Sequence, residues 1–203
     1  MKKNRKNDNF NYMQLKNRYF LLRHGQTIYQ TEKRDFLYPF PENPSIPITE
    51  EGKKTVEESA KKLKAENIDL IFSSDFFRTR QSAEIIAREL DLEINYDTRL
   101  RDLNLGEFHG RQITEYKNFF SEKSERFFKR PKAGENWNDL KERLKNFLDE
   151  VEKKYQNKNI LIISHGDPLW LLAGILKGFK KEEEFLKSRN RDFYPAVGQL
   201  IKV

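Results

Sequence analysis

Residues Arg18 to Gly25 read RYFLLRHG, and residues Asn159 to Gly166 read NILIISHG. Each begins as a short, bulky apolar run suited to a buried strand, and each ends on His-Gly, where the chain must turn into a loop. In α/β sheets ligands bind beyond the carboxyl ends of the strands, so both imidazoles are expected in one cleft despite their distance in sequence. A lone histidine is more often a polar core residue with its hydrogen bonds satisfied. Two at matched strand ends weaken that reading.

Working outward, Asp69 to Ser73 (DLIFS) is another strand, Glu93 to Tyr96 a short one, and Val197 to Val203 a closing one. Helical patterns fall between them. Thr49 and Gly52, after the Pro-punctuated loop Ser45 to Ile48, open a helix whose apolar face is Val56, Ala60 and Leu63. Ala83, Ile86, Ala87 and Leu90 mark a second helix, and Leu140, Leu144, Phe147, Leu148 and Val151 a third. Leu169 to Leu176 is apolar nearly all round, as a helix packed inside the protein is. Strands alternating with helices predict an α/β three-layer sandwich, with a mostly parallel central sheet and helices on both faces. No repeat or Gly/Ser-rich linker divides the chain. The expectation is a flexible basic tail over residues 1–17 and one domain over 18–203, with Phe119 to Pro131 (FFSEKSERFFKRP) as a short helical lid.

Composition narrows the function. Cysteine is absent, which removes disulfides, thiolate nucleophiles and zinc–thiolate sites together. No apolar run approaches the ~20 residues a membrane helix needs, and no hydrophobic segment follows the N-terminal charges. A cytoplasmic protein without membrane partners is the expectation. The formal charge of +7 invites a nucleic-acid reading. Much of the excess, however, sits in Lys2, Lys3, Arg5, Lys6 and Lys16 against Asp8, and the rest interleaves with acids. The cluster Arg126, Lys129, Arg130 and Lys132 belongs to no nucleic-acid motif and reads as solvated surface.

Arg23 beside His24, and Arg78 beyond DLIFS, add fixed positive charge at the same sheet edge; Arg80 is the nearest rival of Arg78. Guanidinium groups bind phosphoryl oxygens in a planar, bidentate way. Two arginines and two histidines without a carboxylate cluster suit a tetrahedral dianion, with no metal and no other cofactor. Thr27 and the backbone amide at Gly25 offer further donors.

These residues resemble a known family. Leu22 to Thr27 (LRHGQT) looks like the first signature of the histidine phosphatase superfamily, in its phosphoglycerate mutase-like branch. Ser73 to Ala83 (SSDFFRTRQSA) resembles the second motif, in which the arginine before Thr binds phosphate. Arg99 to Asp102, with Gly106 and Gly110 beyond, resembles the third, and Gly134 to Trp137 (GENW) the short stretch before a late helix. Ile163 to Gly166 (ISHG) is similar to the final motif. The likeness runs in order from about Arg18 to the C-terminus. It implies that His24 attacks phosphorus, and that Arg23, Arg78 and His165 hold the equatorial oxygens, with Gly25, Thr27, Gln30 and Gly166 completing the phosphate site. It also implies that Asp102 protonates the leaving oxygen and then activates water.

Three positions depart from the family pattern. Relatives place Glu where this chain has Asp102, one methylene shorter. Glu107 is a rival acid, and pairing with Arg99 or Arg101 is the plain structural alternative for Asp102. Gln30 stands where many relatives carry Asn, and His109 where they often have Glu or Gln; His109 is read as a rim residue. The function expected is hydrolysis of small phosphorylated metabolites through a phosphohistidine. The alternatives are a phosphoglycerate mutase, which usually has a longer stretch than Arg111 to Gly134 at this point, and a non-catalytic phospho-ligand sensor. Phe119, Phe120, Phe127 and Phe128 either pack the lid or partly line a substrate pocket. Oligomeric state stays open, a dimer being one option.

Overall fold

The computed structural model describes residues 15–42, 45–189 and 193–203. Five strands form one sheet: β1 (Arg18–Arg23), β2 (Leu70–Ser73), β3 (Ile94–Tyr96), β4 (Asn159–Ser164) and β5 (Leu200–Lys202), in the order β3-β2-β4-β1-β5. The pairs β1–β4, β4–β2 and β2–β3 are parallel; β5 runs antiparallel along the free edge of β1.

Alternate residues explain why the strands are apolar throughout. Tyr19, Leu21, Ile160, Ile162 and Phe72 bury into a core on one face of the sheet, and Phe20, Leu22, Leu161, Ile163 and Ile71 into a core on the other. Helices α1 (Glu50–Leu63) and α2 (Phe77–Leu90) cover the second face through Val56, Ala60, Leu63, Ala83 and Ile86. After a short α3 (Ile113–Asn118), helices α4 (Trp137–Lys154), α5 (Gly166–Leu176) and α6 (Glu182–Ser188) build on the first. This is the three-layer arrangement the sequence predicts. Among the described residues no helix is long and apolar enough to cross a membrane.

Three regions refine the sequence reading. Residues 119–131 form a short cap on a 3-10 turn, Lys123–Phe127, pinned because Phe127 is fully buried between Trp137, Trp170 and Phe185. Three of the four phenylalanines of that segment therefore serve packing, since Phe120 is buried as well and Phe119 packs partly buried against the same core, whereas Phe128 points to solvent. Helix α6 has no clear periodicity in its sequence and is held by buried Phe185 and Ser188, with Trp170 Nε1 donating to the Phe185 carbonyl and Ser188 Oγ. At the N-terminus the docked chain starts before the expected boundary at 18. The Lys16 amide and the Asn17 side chain both donate to the Glu152 carboxylate, which also accepts from the Tyr19 hydroxyl. The rest of the expected tail, residues 1–14, lies outside the described residues.

Candidate active site

The parallel register of β1 and β4 sets Arg23 opposite Ser164, and the His24 amide donates to the Ser164 carbonyl at 3.1 Å. The two following residues are thereby brought together: the rings of His24 and His165 lie 5.3 Å apart, almost wholly buried. Arg78 comes from the first turn of α2, just beyond β2, and is fully buried despite its charge. Its rival Arg80 is exposed and lies over Tyr96. Gly25 fits where a side chain cannot, since a Cβ there would stand 2.7 Å from the Gly52 carbonyl oxygen in the first turn of α1.

Hydrogen bonding fixes the state of His24. Its Nδ1 lies 2.8 Å from the Gly25 carbonyl oxygen, which only accepts, so Nδ1 carries the proton and Nε2 keeps its lone pair. Burial, then Arg78 and Arg23, push its pKa well below the ordinary 6.5, so the ring stays neutral near neutral pH. His165 is pushed well down by the same causes, burial first. Its Nε2 is 2.9 Å from Ser74 Oγ, and its Nδ1 is buried without a hydrogen-bond partner. Arg23 Nε and Arg78 Nε are likewise buried and unpartnered among the described residues. A buried donor left unsatisfied costs about 1–3 kcal/mol, so the two guanidinium N–H groups call for an acceptor, while the neutral His165 ring has a single N–H to give to either of its sides.

Asp102 stands across from them. Its Oδ2 is 3.4 Å from the Arg78 guanidinium and 3.8 Å from His165 Nδ1. Burial raises its pKa above the ordinary carboxylate value; Arg78 opposes the shift and Asp167 adds to it. Neither expected competitor takes it: Arg99 pairs with Asp97 and Glu150, and Arg101 with Asp75. Glu107 is exposed and accepts from the Lys132 amide, away from this cluster.

Other expected phosphate ligands are engaged elsewhere. The Gly25 amide donates to Ser82 Oγ at 3.0 Å, and the Thr27 amide to Gln30 Oε1 at 2.9 Å. The Gln30 Nε2 donates to the Tyr38 hydroxyl, which also bonds Thr27 Oγ1 at 2.6 Å. In this state the Gly25 and Thr27 amides are engaged in the local scaffold, and the Gln30 amide keeps one N–H beyond the one it gives to Tyr38. Gly166 stands at the first turn of α5, against the Tyr194 hydroxyl, where a Cβ would clash. His109 sits on the rim as expected, near the Tyr38 carbonyl and under Phe40.

Several participants carry no signal in the sequence. Tyr38 lays its ring 4.0 Å from the Arg78 guanidinium carbon, and Glu42 forms an ion pair with that guanidinium. Both come from an irregular loop without periodicity. Arg143 looks like a solvated residue of α4, yet it donates to the carbonyls of Arg99, Arg101 and Asp102 and pairs with Glu135. It thereby clamps the loop that carries Asp102. A cavity of about 610 Å³ is lined by Arg23, Arg78, Asp102 and Gly166 and also by Tyr116, Arg126 and Arg189, the last two of which border an adjoining recess as well. Among the described residues, no three His, Cys, Asp or Glu side chains converge as a metal site requires.

Comparison with known proteins agrees with this geometry. The profile of the histidine phosphatase superfamily (branch 1) matches residues 19–188. A protein of Escherichia coli O1:K1, described as a probable phosphoglycerate mutase GpmB, is 30% identical over 181 residues, covering 84% of this chain and 80% of the relative. Among solved structures, the α-ribazole phosphatase of Shigella flexneri superposes with a TM-score of 0.73 at 22% identity, over 90% of this chain and 88% of that one. A mycobacterial glucosyl-3-phosphoglycerate phosphatase superposes with a TM-score of 0.66 at 22% identity, over 78% of each chain. The ordered motifs, the paired imidazoles and the profile match together place this chain in the histidine phosphatase superfamily, branch 1.

Proposed function

We propose that the chain hydrolyses phosphomonoesters through a phosphohistidine on His24, without a divalent metal. The observation that carries this reading is a neutral imidazole with a bare Nε2 beside a second imidazole and two arginines whose buried Nε–H groups are unpartnered. Such a site supplies a nucleophile and an electrostatic cradle together. Arg23, Arg78 and His165 hold the non-bridging oxygens, and the amides opening α5 at Gly166 add the positive end of a helix dipole. Two guanidinium groups fill the electrostatic role that a cation takes in metal-dependent phosphatases.

His24 Nε2 attacks phosphorus as the ester oxygen departs, and Asp102 gives that oxygen its proton. Asp102, now a carboxylate, takes a proton from water as the water oxygen attacks phosphorus. The P–N bond breaks and His24 returns to its neutral state. The raised pKa of Asp102 suits the first step, since the acid must hold a proton near the working pH. A phosphoryl group must displace Glu42 from Arg78 to reach this position. Thr27 and Gln30 act in binding by holding Tyr38 against Arg78, or as direct donors once that loop moves; the Gly25 carbonyl orients His24.

Phosphate release from a panel of sugar phosphates, phosphoglycerates, nucleotides and an aryl phosphate tests the reading. Activity that survives EDTA is expected; activity abolished by EDTA and restored by magnesium or manganese would contradict metal independence. The likeness to a probable mutase favours one second reading, phosphoryl return to the substrate. Assaying conversion of 3-phosphoglycerate to 2-phosphoglycerate beside phosphate release separates the two. The short stretch Arg111 to Gly134 leaves less cover over the phosphohistidine and favours water as the acceptor.

A further inference from the structure

The part of the cavity lined by Arg126 and Arg189 carries more positive charge than the described residues balance. Asp167, two residues beyond His165 in α5, accepts from Trp137 Nε1 at 2.9 Å and from Arg189 at 2.7 Å. It is the carboxylate partner of Arg189, yet one guanidinium nitrogen of Arg189 remains buried with no hydrogen-bond partner among the described residues. Arg126 stands beside the same group. It packs over Tyr116, Phe120 and Trp137 at 4.9, 5.1 and 5.6 Å, and its Nε is also buried and unpartnered. Among the described residues no carboxylate lies within ion-pair distance of it.

Two further cations, Lys117 and Lys123, and one carboxylate, Glu122, border the recess formed with Arg126 and Arg189, residues that the main cavity shares. The ammonium of Lys123 is pushed down by burial and then by Arg189 and Arg126, as an excess of like charge requires. Tyr194 joins the two sides of the cavity. Its ring lies 5.5 Å from the Arg23 guanidinium carbon and 4.6 Å from that of Arg189. The cap that carries Arg126 is fixed by buried Phe127, so the guanidinium is held in place by packing.

We propose that this side is a second anion subsite, in which Arg126 and Arg189 hold a carboxylate or phosphoryl group of the substrate other than the phosphoryl group at His24. The proposal rests on the phosphatase reading for the first group and adds the class of substrate: a small phosphomonoester bearing a second anionic group. The aromatic walls exclude water around the guanidinium groups, which strengthens a charge-assisted bond there.

Calorimetric binding to the full chain carrying His24→Ala, which is not expected to turn ligand over, tests it with three probes. These are glycerol 3-phosphate, 3-phosphoglycerate and propane-1,3-diyl bisphosphate. At least about tenfold tighter binding of one probe carrying a second anionic group than of glycerol 3-phosphate is expected, the worth of one charge-assisted hydrogen bond. Preference for 3-phosphoglycerate identifies a carboxylate as the second group, and preference for the bisphosphate a phosphoryl. Adding Arg126→Met, which keeps the packing surface, or Arg126→Gln should collapse the preference. Equal affinity for all three probes, or a preference unchanged in both variants, overturns the subsite. Failure of the wild-type chain to hydrolyse any phosphomonoester while the preference persists would instead overturn the phosphatase reading.

Discussion

The two sides of the cavity are built differently. The His24 side is made by strand termini: Arg23 and His24 continue β1, His165 continues β4, and Arg78 follows β2 by a few residues. Parallel pairing fixes where each chain stops, and burial on both faces fixes each side chain against the sheet. The rim and the Arg126 side of the cavity include irregular chain, the loop carrying Tyr38 and Glu42 and the cap carrying Arg126, positioned by side-chain contacts and a few local backbone hydrogen bonds instead of a continuous sheet ladder. Chemistry common to a family belongs on the first kind of scaffold. Substrate choice belongs on the second, where change costs the core little.

That contrast can be broken at several points. The largest effect is expected at Asp102, which belongs to the rigid side by function but sits on a loop. Asp102→Asn should lower kcat by about 100-fold or more for alkyl phosphates, and much less for an aryl phosphate, whose oxide leaves without a proton. The pH profile sharpens this. Asp102 must be protonated to act, and its pKa is raised from 3.8, so alkyl phosphate turnover should fall as pH rises through that raised value. His24 has a depressed pKa, so the acidic limb should lie below 6.5. Asp102→Asn should remove the basic limb. Equal losses on both substrate types, or a larger effect from Glu107→Gln, would move the acid elsewhere.

A smaller effect is expected at Arg143, a positioning residue that acts through Asp102. Arg143→Met removes the clamp on three carbonyls and should lower kcat for alkyl phosphates about tenfold, a misplacement well under the 1 Å that costs about 100-fold. The loss should shrink with an aryl phosphate, which a merely destabilised fold would not produce. The smallest effect is expected on the rim. Glu42→Gln removes the carboxylate that competes for the buried Arg78, so orthovanadate should inhibit more tightly, about fivefold for each ~1 kcal/mol of competition removed. Weaker inhibition would mean that Glu42 assists anion binding.

The same contrast decides what the sequence revealed. RYFLLR and NILIIS declare two strands because burial on both faces demands an unbroken apolar run, and His24 and His165 could be paired from their shared position after those runs. The helices of the sandwich were legible for the equivalent reason, a periodic apolar face. Tyr38, Glu42 and Arg143 were not. Loop residues carry no period, and an arginine that reaches three carbonyls looks in sequence like any solvated arginine on a helix. Gly25 was legible as a special position, yet its amide proved to be spent on Ser82, and only its carbonyl bears on the histidine. Helix α6 stayed hidden because its two adjacent apolar residues, Phe185 and Leu186, make no helical period.

The central claim is that phosphorus passes through His24 Nε2. Rapid quenching of wild-type enzyme turning over a good substrate, followed by peptide mass spectrometry under basic conditions that preserve phosphohistidine, tests it directly. The account predicts phosphate on the peptide containing His24, assigned to that residue, and no label in the His24→Ala variant. Phosphate found on His165, or an acid-stable, base-labile label on a carboxylate, would contradict it.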